Sequence, residues 1–366
     1  MHIFIHRITC TQTDRLNCSD HPEFYGHEDV YRFEDTDTDL RAIIAVHSTT
    51  LGPAAGGCRR WTYESEAEAL TDALRLSRGM SYKNAMAGLP FGGGKAVILA
   101  GPTGKPTPEE FRAFGQFVQS LNGQYVTAED VGVGTDDMRV VREVTPYVSG
   151  LPQSGSGAGG DPSPWTALGV YLSVRKAISL VFGAPDVRGF TVGVQGAGHV
   201  GYRLCQLLHE AGARLLVADI NPENTERVVA QFGAIPVASS EILAAEVDVL
   251  APCALGGILN ANTIPHVRAQ IVAGAANNQL ATPEDAWRLH ARSVVFLPDY
   301  VINAGGIISV AREYLGGSTR EELEVEVAKI PARLDDLLTR ANRKNLPPSV
   351  LTDQVARSLI AAPKQN

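Results

Sequence analysis

The sequence predicts an α/β chain of two domains, the second carrying a doubly wound parallel sheet. At 366 residues it is long for a single hydrophobic core. A run of glycine, serine and proline with almost nothing to bury, "GLPQSGSGAGGDPSP" at 150–164, reads as an irregular connection between folded units. Beyond it, strand-like and helix-like segments alternate as a parallel sheet requires. The expected first domain spans 1–150 and the second 151–330, with helices from 331–366 packing back on the first.

The elements follow in order. "RAIIAVHSTT" (41–50) and "KAVILA" (95–100) are apolar and branched enough for strands. "SEAEALTDALRLSRGM" (65–80) predicts a helix with Leu70, Ala73, Leu74 and Ser77 on one stripe. A capping box of Ser65 and Glu68 opens it, and Gly79 sits where a helix commonly stops. "TPEEFRAFGQFVQSL" (107–121) predicts a second helix, with Pro108 early and acids in the first turn. After the connection, 190–196, 214–219, 248–253, 270–278 and 293–299 read as buried strands and 199–212 as a helix. The charged, leucine-spaced tail from about 320 to 360 reads as helical.

Composition narrows the function. A hydrophobic share of 44% with 20% charged residues fits a folded globular chain. The net charge of −8, with no block of one sign, argues against nucleic acid or an anionic membrane as partner. No apolar run is expected to approach the roughly 20 residues of a membrane helix. "MHIFIHRITCTQTDR" lacks the features of a secretory leader. Cys10, Cys18, Cys58, Cys205 and Cys253 are odd in number and scattered, so reduced thiols and a cytoplasmic location are expected, without disulfides or a metal.

The second domain carries a fingerprint. "VGVQGAGHVG" places Gly196, Gly198 and Gly201 between a strand and a helix, the Rossmann arrangement for a dinucleotide. The pyrophosphate would sit at the helix N-terminus, where unpaired N–H groups and the dipole favour negative charge. Gly196, Ala197, Gly198, His199, Val200, Gly201 and Tyr202 are the expected cofactor contacts, His199 with its ring toward solvent or phosphate rather than in catalysis. Asp219 ends the next strand, where a carboxylate bonds the ribose 2′-hydroxyl and repels a 2′-phosphate, which favours NAD over NADP.

"GLPFGGGKAV" (88–97) puts Lys95 behind three glycines. A phosphate-binding loop needs glycine six positions before the lysine and a hydroxyl after it, and Leu89 and Ala96 stand there instead. Oxidation of an amino or hydroxy acid needs a base and a cation for the carboxylate. A lysine serves as base near neutral pH when burial or a second cation disfavours its protonated form. Lys83 and Lys95, twelve residues apart, would each supply that cation to the other. Glycines 92–94 would let substrate and backbone approach the amine. Asp130, just past a strand in "YVTAEDVG", suits a proton relay or the orientation of an ammonium.

"GGCRRWTY", "GMSYKNAMAGLPFGGGK", "TAEDVG", "GDPSPWTALGVY", "APCALGG", "AGAANNQL" and "PDYVINAGG" together resemble the glutamate, leucine, phenylalanine and valine dehydrogenases, the leucine enzymes most of all. The resemblance runs from about 40 to 315. It implies a first domain for substrate binding and oligomerisation, a homo-oligomer, and NAD as cofactor. Lys95 matches the lysine that activates water, Lys83 the one gripping the α-carboxylate, and Asp130 the acid handling protons at the amine. Gly56, Gly57 and Met80 match the substrate lining, with Asn278 helping to hold it. Thr166, Ala254 and Asn277 fall where the family meets the nicotinamide half. By family position Ala55, Met80, Ala128, Ile307 and Val310 form an apolar side-chain pocket.

The implied reaction is reversible oxidative deamination of leucine, valine or isoleucine to the 2-oxo acid and ammonia, the two domains closing over the substrate. Ala55, where many leucine enzymes carry leucine, leaves an aromatic amino acid as the alternative. A catalytically inactive binding paralogue would lack Lys83, Lys95 or Asp130, and all three are present.

Overall fold

The computed structural model describes residues 11–101, 104–151 and 161–361. These divide into two compact units, one of 11–151 with 313–317 and 358–361, the other of 161–312 with 318–357. Most of the expected connection at 150–164 lies outside the described residues.

The first unit runs β1 (Thr11–Arg15), β2 (Asp29–Asp35), β3 (Leu40–Ser48), β4 (Ala54–Trp61), α1 (Glu66–Ala87), β5 (Gly92–Leu99), α2 (Pro108–Ser120), β6 (Tyr125–Ala128) and α3 (Thr135–Val144). Among the described residues its sheet has the order β1-β2-β3-β5-β4-β6. β1, β2, β3 and β5 pair antiparallel, whereas β4 is parallel to both β5 and β6. One face packs Ile43, Ala45 and Val97 under Ala69, Ala73 and Leu74 of α1. The other packs Ile44, Ala96 and Ile98 against Phe111, Phe114 and Phe117 of α2 and Met138 and Val141 of α3. Side chains alternate along a strand, so Lys95 shares the α1 face with Val97.

Two expectations change here. α1 does not stop at Gly79; it continues to Ala87 and closes at Gly88. An interior glycine costs a helix only about 1 kcal/mol, and packing of α1 on the sheet outweighs that. Its start keeps half of the capping box: Ser65 accepts from the Glu68 N–H at 3.2 Å, while the Glu68 carboxylate accepts from the Glu64 N–H at 2.9 Å. The glycine triplet is also explained differently. Residues 92–94 lie inside β5, and all three are buried. A Cβ at Gly92 would land on the Ser48 carbonyl, at Gly93 on the Ser81 backbone nitrogen, and at Gly94 2.7 Å from the Tyr125 ring. Gly93 lets strand and helix pack at close range, and Gly92 and Gly94 make room for the Ser48 carbonyl and the Tyr125 ring, so the space beside all three is filled by the protein itself.

The second unit runs α4 (Ser163–Phe182), β7 (Thr191–Gln195), α5 (His199–Glu210), β8 (Arg214–Ala218), α6 (Pro222–Phe232), β9 (Ile235–Pro236), β10 (Val249–Pro252), β11 (Ile271–Val272), α7 (Glu284–Ala291), β12 (Val295–Phe296), α8 (Asp299–Ile302), α9 (Gly305–Tyr314), α10 (Arg320–Val327), α11 (Ile330–Lys344) and α12 (Pro348–Ala361). Its strands are all parallel in the order β9-β8-β7-β10-β11-β12, which is the doubly wound 3-2-1-4-5-6 order. β11 and β12 are two residues each, much shorter than the runs 270–278 and 293–299 suggest, because the chain turns into loops at their C-terminal ends.

Among the described residues α4 is long and apolar enough to cross a membrane, with a mean hydropathy of 1.2, contrary to expectation. Its apolar character answers to packing on more than one side. Ala167, Val170, Val174 and Ile178 join one core with Leu204 and Leu208 of α5 and Leu334 of α11. That same packing places α11 on α4 within the second unit; of the segment 331–366 expected to pack on the first unit, 331–357 groups with the second and 358–361 with the first.

Gly93→Ala should cost about 1–3 kcal/mol of stability through overpacking against Ser81. Gly79→Ala, with open space around it, should be neutral or stabilising by up to about 1 kcal/mol. Denaturant melts of the two variants check both signs.

Candidate active site

Lys95 stands on β5 with only 5% of its surface exposed, and its ammonium is paired with the Asp130 carboxylate. Asp130 comes from the turn after β6. The Val133 N–H donates to the Asp130 carbonyl at 2.9 Å, and Gly132 between them has φ +77°, as the third position of a type II turn demands. The turn is docked on β4 by the Arg60 N–H, which donates to the Val131 carbonyl at 2.9 Å.

Gly57 of β4 faces this turn, and a Cβ there would come within 2.8 Å of the Asp130 Cβ. A Cβ at neighbouring Gly56 would come within 3.1 Å of the Met80 side chain and land on the Gly94 carbonyl. The buried Tyr125 hydroxyl donates to the Gly56 carbonyl at 2.6 Å and fixes that glycine pair. Lys95, Asp130, Gly56, Gly57 and Met80 are therefore neighbours in one site. Lys83 follows Met80 by one turn of α1 and shares its face. Ala55 is buried beside Gly93 in the sheet register, and Ala128 ends β6.

α1 is fastened where it carries Met80 and Lys83. His47 of β3 and Ser81 share a hydrogen bond of 2.7 Å through Nδ1 and Oγ. The His27 ring lies edge-on to His47 at 4.8 Å, and burial pushes both imidazoles down to about 4, so neither adds charge at neutral pH. Burial would raise Asp130, but the Lys95 ammonium, its hydrogen bond, the Arg59 guanidinium and the Val131 N–H outweigh it and hold the carboxyl at about 2.

In the second unit the three fingerprint glycines take distinct roles. Gly196 has φ +92°, and a Cβ there would lie 2.8 Å from the Ala254 Cβ, so the turn after β7 lies against the end of β10. Gly201 would place a Cβ on the Gly196 carbonyl, which sets α5 close to β7. Gly198, the N-cap of α5, has nothing within 4 Å of its Cβ position and no side-chain cap, and it leaves helix N–H groups for a pyrophosphate. These residues fit a dinucleotide.

Asp219 does two jobs. One carboxylate oxygen accepts from the Ala197 N–H at 2.7 Å and ties the glycine turn to β8; the other accepts from the Asn221 N–H at 2.8 Å. Burial opposes ionisation, but these N–H groups, with Asn224 and Arg227, hold the carboxyl below its ordinary value. His199 is exposed at the start of α5, and Val200 is half-buried against the core. The Tyr202 hydroxyl donates to Gln231 at 2.9 Å and its ring packs under Arg227, so that side chain is engaged with α6. Thr166 opens α4 against Gly306, whose Cβ position is 2.5 Å from its hydroxyl. Asn303 donates to Asn277 at 2.9 Å, and Asn278 follows with φ +52°. Ile307 and Val310 share one half-buried face of α9.

Arg59, Tyr125, Arg227 and Asn303 were not singled out from the sequence. Arg59 and Asn303 lie inside "GGCRRWTY" and "PDYVINAGG", which were the available signal.

A family model described as Glu/Leu/Phe/Val dehydrogenase, dimerisation domain, matches residues 27–147, and one described as Glutamate/Leucine/Phenylalanine/Valine dehydrogenase matches 220–348. The leucine dehydrogenase of Geobacillus stearothermophilus is 49% identical over 92% of this chain and 92% of its own. The chain belongs to the Glu/Leu/Phe/Val dehydrogenase family. Another relative in that family is the valine dehydrogenase of Streptomyces albus, 42% identical over 97% of this chain and 98% of its own. The crystal structure of L-tryptophan dehydrogenase from Nostoc punctiforme superposes with a TM-score of 0.79 at 42% identity, covering 92% of this chain and 96% of that one. As a Glu/Leu/Phe/Val dehydrogenase the protein is an oxidoreductase from a family of amino-acid dehydrogenases that use a nicotinamide dinucleotide.

The Lys95–Asp130 pair has a pH signature. Asp130 titrates at about 2 in the folded chain against 3.8 for the ordinary carboxyl, so its stabilisation, about 2 kcal/mol, is full above about pH 4 and is lost as pH falls through 2. Asp130→Asn should therefore melt below the wild type at pH 7, and the gap should close on acidification. Thermal melts between pH 7 and pH 2 measure it; a gap constant with pH would show that Asp130 is not held ionised by its neighbours.

Proposed function

We propose that the protein catalyses NAD-dependent, reversible oxidative deamination of a branched-chain L-amino acid. L-amino acid, NAD⁺ and water give 2-oxo acid, ammonium, NADH and a proton. The observation that carries the reading is a lysine buried at 5% exposure and paired with a carboxylate that keeps a quarter of its side chain exposed. Burying an ammonium in a sheet is costly, and an apolar residue would pack there at less expense. Such a pair is suited to moving protons at a substrate that reaches the exposed side of Asp130.

Lys83 holds the substrate α-carboxylate. A bound nicotinamide dinucleotide would supply the acceptor for the hydride of the substrate Cα. Lys95, once it has released its own proton to solvent, takes a proton from the water that adds to the imino acid, and Asp130 exchanges protons with the departing amine. Gly196, Gly198, Gly201 and the α5 N-terminus would hold the pyrophosphate, and Thr166, Ala254 and Asn277 would hold the nicotinamide half.

Asp219 favours NAD, because its carboxylate stands where a 2′-phosphate would be repelled. Arg227, the cation that would attract such a phosphate, is already bonded to the Ala197 carbonyl at 3.1 Å and lies over the Tyr202 ring.

Ala55, Met80 and Ala128 of the first unit and, by family position, Ile307 and Val310 of the second are the residues proposed to meet the substrate side chain, and none of them could pair a charge. β-Branched Ile307 and Val310 suit leucine, valine or isoleucine. The match to leucine and valine dehydrogenases supports that choice, and the described dimerisation domain supports a homo-oligomer. Small Ala55 and the likeness to L-tryptophan dehydrogenase favour the second reading, an aromatic substrate.

One kinetic survey tests these points: kcat/KM for L-leucine, L-valine, L-isoleucine, L-phenylalanine and L-tryptophan with each dinucleotide, followed by absorbance of the reduced form. The expected result is a branched-chain substrate first, with aromatic acids behind by a graded margin. One methylene in an apolar pocket is worth only about 1–3 kcal/mol. NAD⁺ should lead NADP⁺ by at least about tenfold, roughly 1.4 kcal/mol. An aromatic acid ranking first overturns the branched-chain choice, and equal rates with NADP⁺ overturn the role of Asp219.

A further inference from the structure

Asp130 faces two cations, and the reaction as proposed uses only one. Arg59 reaches it from β4, with Nε 3.7 Å from the carboxylate oxygen that Lys95 also meets. That distance is too long for a hydrogen bond, and Arg59 Nε is buried without a hydrogen-bond partner, so the guanidinium acts on Asp130 by charge alone. Arg59 is held from its other side: it donates to Asp72 of α1 at 2.9 Å, and the Tyr63 hydroxyl donates to the same carboxylate oxygen at 2.6 Å. The chain Tyr63–Asp72–Arg59–Asp130–Lys95 thus runs from α1 across β4 to β5.

The two cations differ in chemistry. A lysine that works as a base changes charge within each turnover, whereas a guanidinium keeps its charge throughout. An Asp130 with Lys95 as sole counter-ion would lose its support at the step where Lys95 is neutral. Resting on the deamination reading, we infer that Arg59 is a positioning residue that holds Asp130 in place and favours the return of its ionised form after each proton exchange with the amine, while Lys95 gives and takes its proton.

The surroundings leave this role to Arg59. Cys58 and Tyr125 lie nearby, and burial pushes the thiol and the phenol up, so both are neutral in the working range. Glu129 beside Asp130 accepts from the Thr135 hydroxyl at 2.8 Å. Arg60, the next residue of β4, is engaged with Glu110 at 2.9 Å. Lys83, on the Met80 face of α1, is given to the substrate α-carboxylate in the proposed reaction, so Arg59 and Asp72 are left to tune the Lys95–Asp130 pair, with opposite signs.

That opposition supplies the test. The pH profile of kcat/KM for L-leucine is measured for the wild type, Arg59→Gln, Arg59→Lys and Asp72→Asn, each checked by circular dichroism and thermal melting. Losing a positive charge makes the pair easier to protonate, so Arg59→Gln should move the acid limb up by about one pH unit. Arg59→Lys should restore most of the wild-type position. Asp72→Asn removes the charge that offsets Arg59 and should move the limb down. If Arg59→Gln fails to fold, the downward shift of Asp72→Asn and the rescue by lysine carry the test. Profiles lowered equally at every pH, with limbs unmoved in the folded variants, would reduce Arg59 to a structural part and overturn the inference. A wild type that turns over no amino acid would bring down the deamination reading and this role together.

Discussion

Lys95 carries its ammonium beneath a helix, in a strand whose other residues are glycine, alanine, valine, isoleucine and leucine. An ion there persists only if a counter-charge is delivered to it. Much of the first unit serves that delivery. β6 ends where the chain can turn back, Gly132 permits the turn, and Gly57 has no side chain to push Asp130 away. Gly93, two residues before Lys95, lets β5 run close under α1, which brings the helix carrying Met80 and Lys83 onto the face where the amine lies.

The second unit answers a different constraint, the approach of a phosphate anion to backbone N–H groups. Gly196 and Gly201 compress the turn between β7 and α5, and Gly198 leaves its outer side open. Asp219 joins the two ends of the arrangement: a single carboxylate braces the glycine turn through Ala197 and stands at the end of β8, where a ribose is recognised. Its removal would loosen the turn, so a loss of affinity for both dinucleotides belongs to its bracing role, and only the ratio between them tests the proposed contact with the ribose.

Local chemistry was legible in the sequence and long-range packing was not. The fingerprint, the Thr107 and Pro108 start of α2, the parallel alternation and the candidate Lys95 and Asp130 are patterns of neighbouring residues. The glycine triplet was read as clearing room for substrate because its neighbours Ser48, Ser81 and Tyr125 are distant in sequence. Arg59 stayed unremarked for the same reason: its meaning depends on Asp72, 13 residues away on α1, and on Asp130, in the turn after β6. Gly79 looked like a helix end because local propensity ignores the sheet beneath α1, and α11 could not be assigned a partner before the two-sided burial of α4 was known.

The central claim is that the buried amine does the proton chemistry and the dinucleotide is held by other residues. Lys95→Ala, measured for both turnover and NADH affinity, tests it most directly. Loss of a positioned acid–base group typically lowers rate by about 10²–10⁴, so kcat should fall at least that far while NADH binds within about twofold of the wild type. A variant that keeps more than about a tenth of wild-type kcat would contradict the account, because that loss is too small for the removal of such a group.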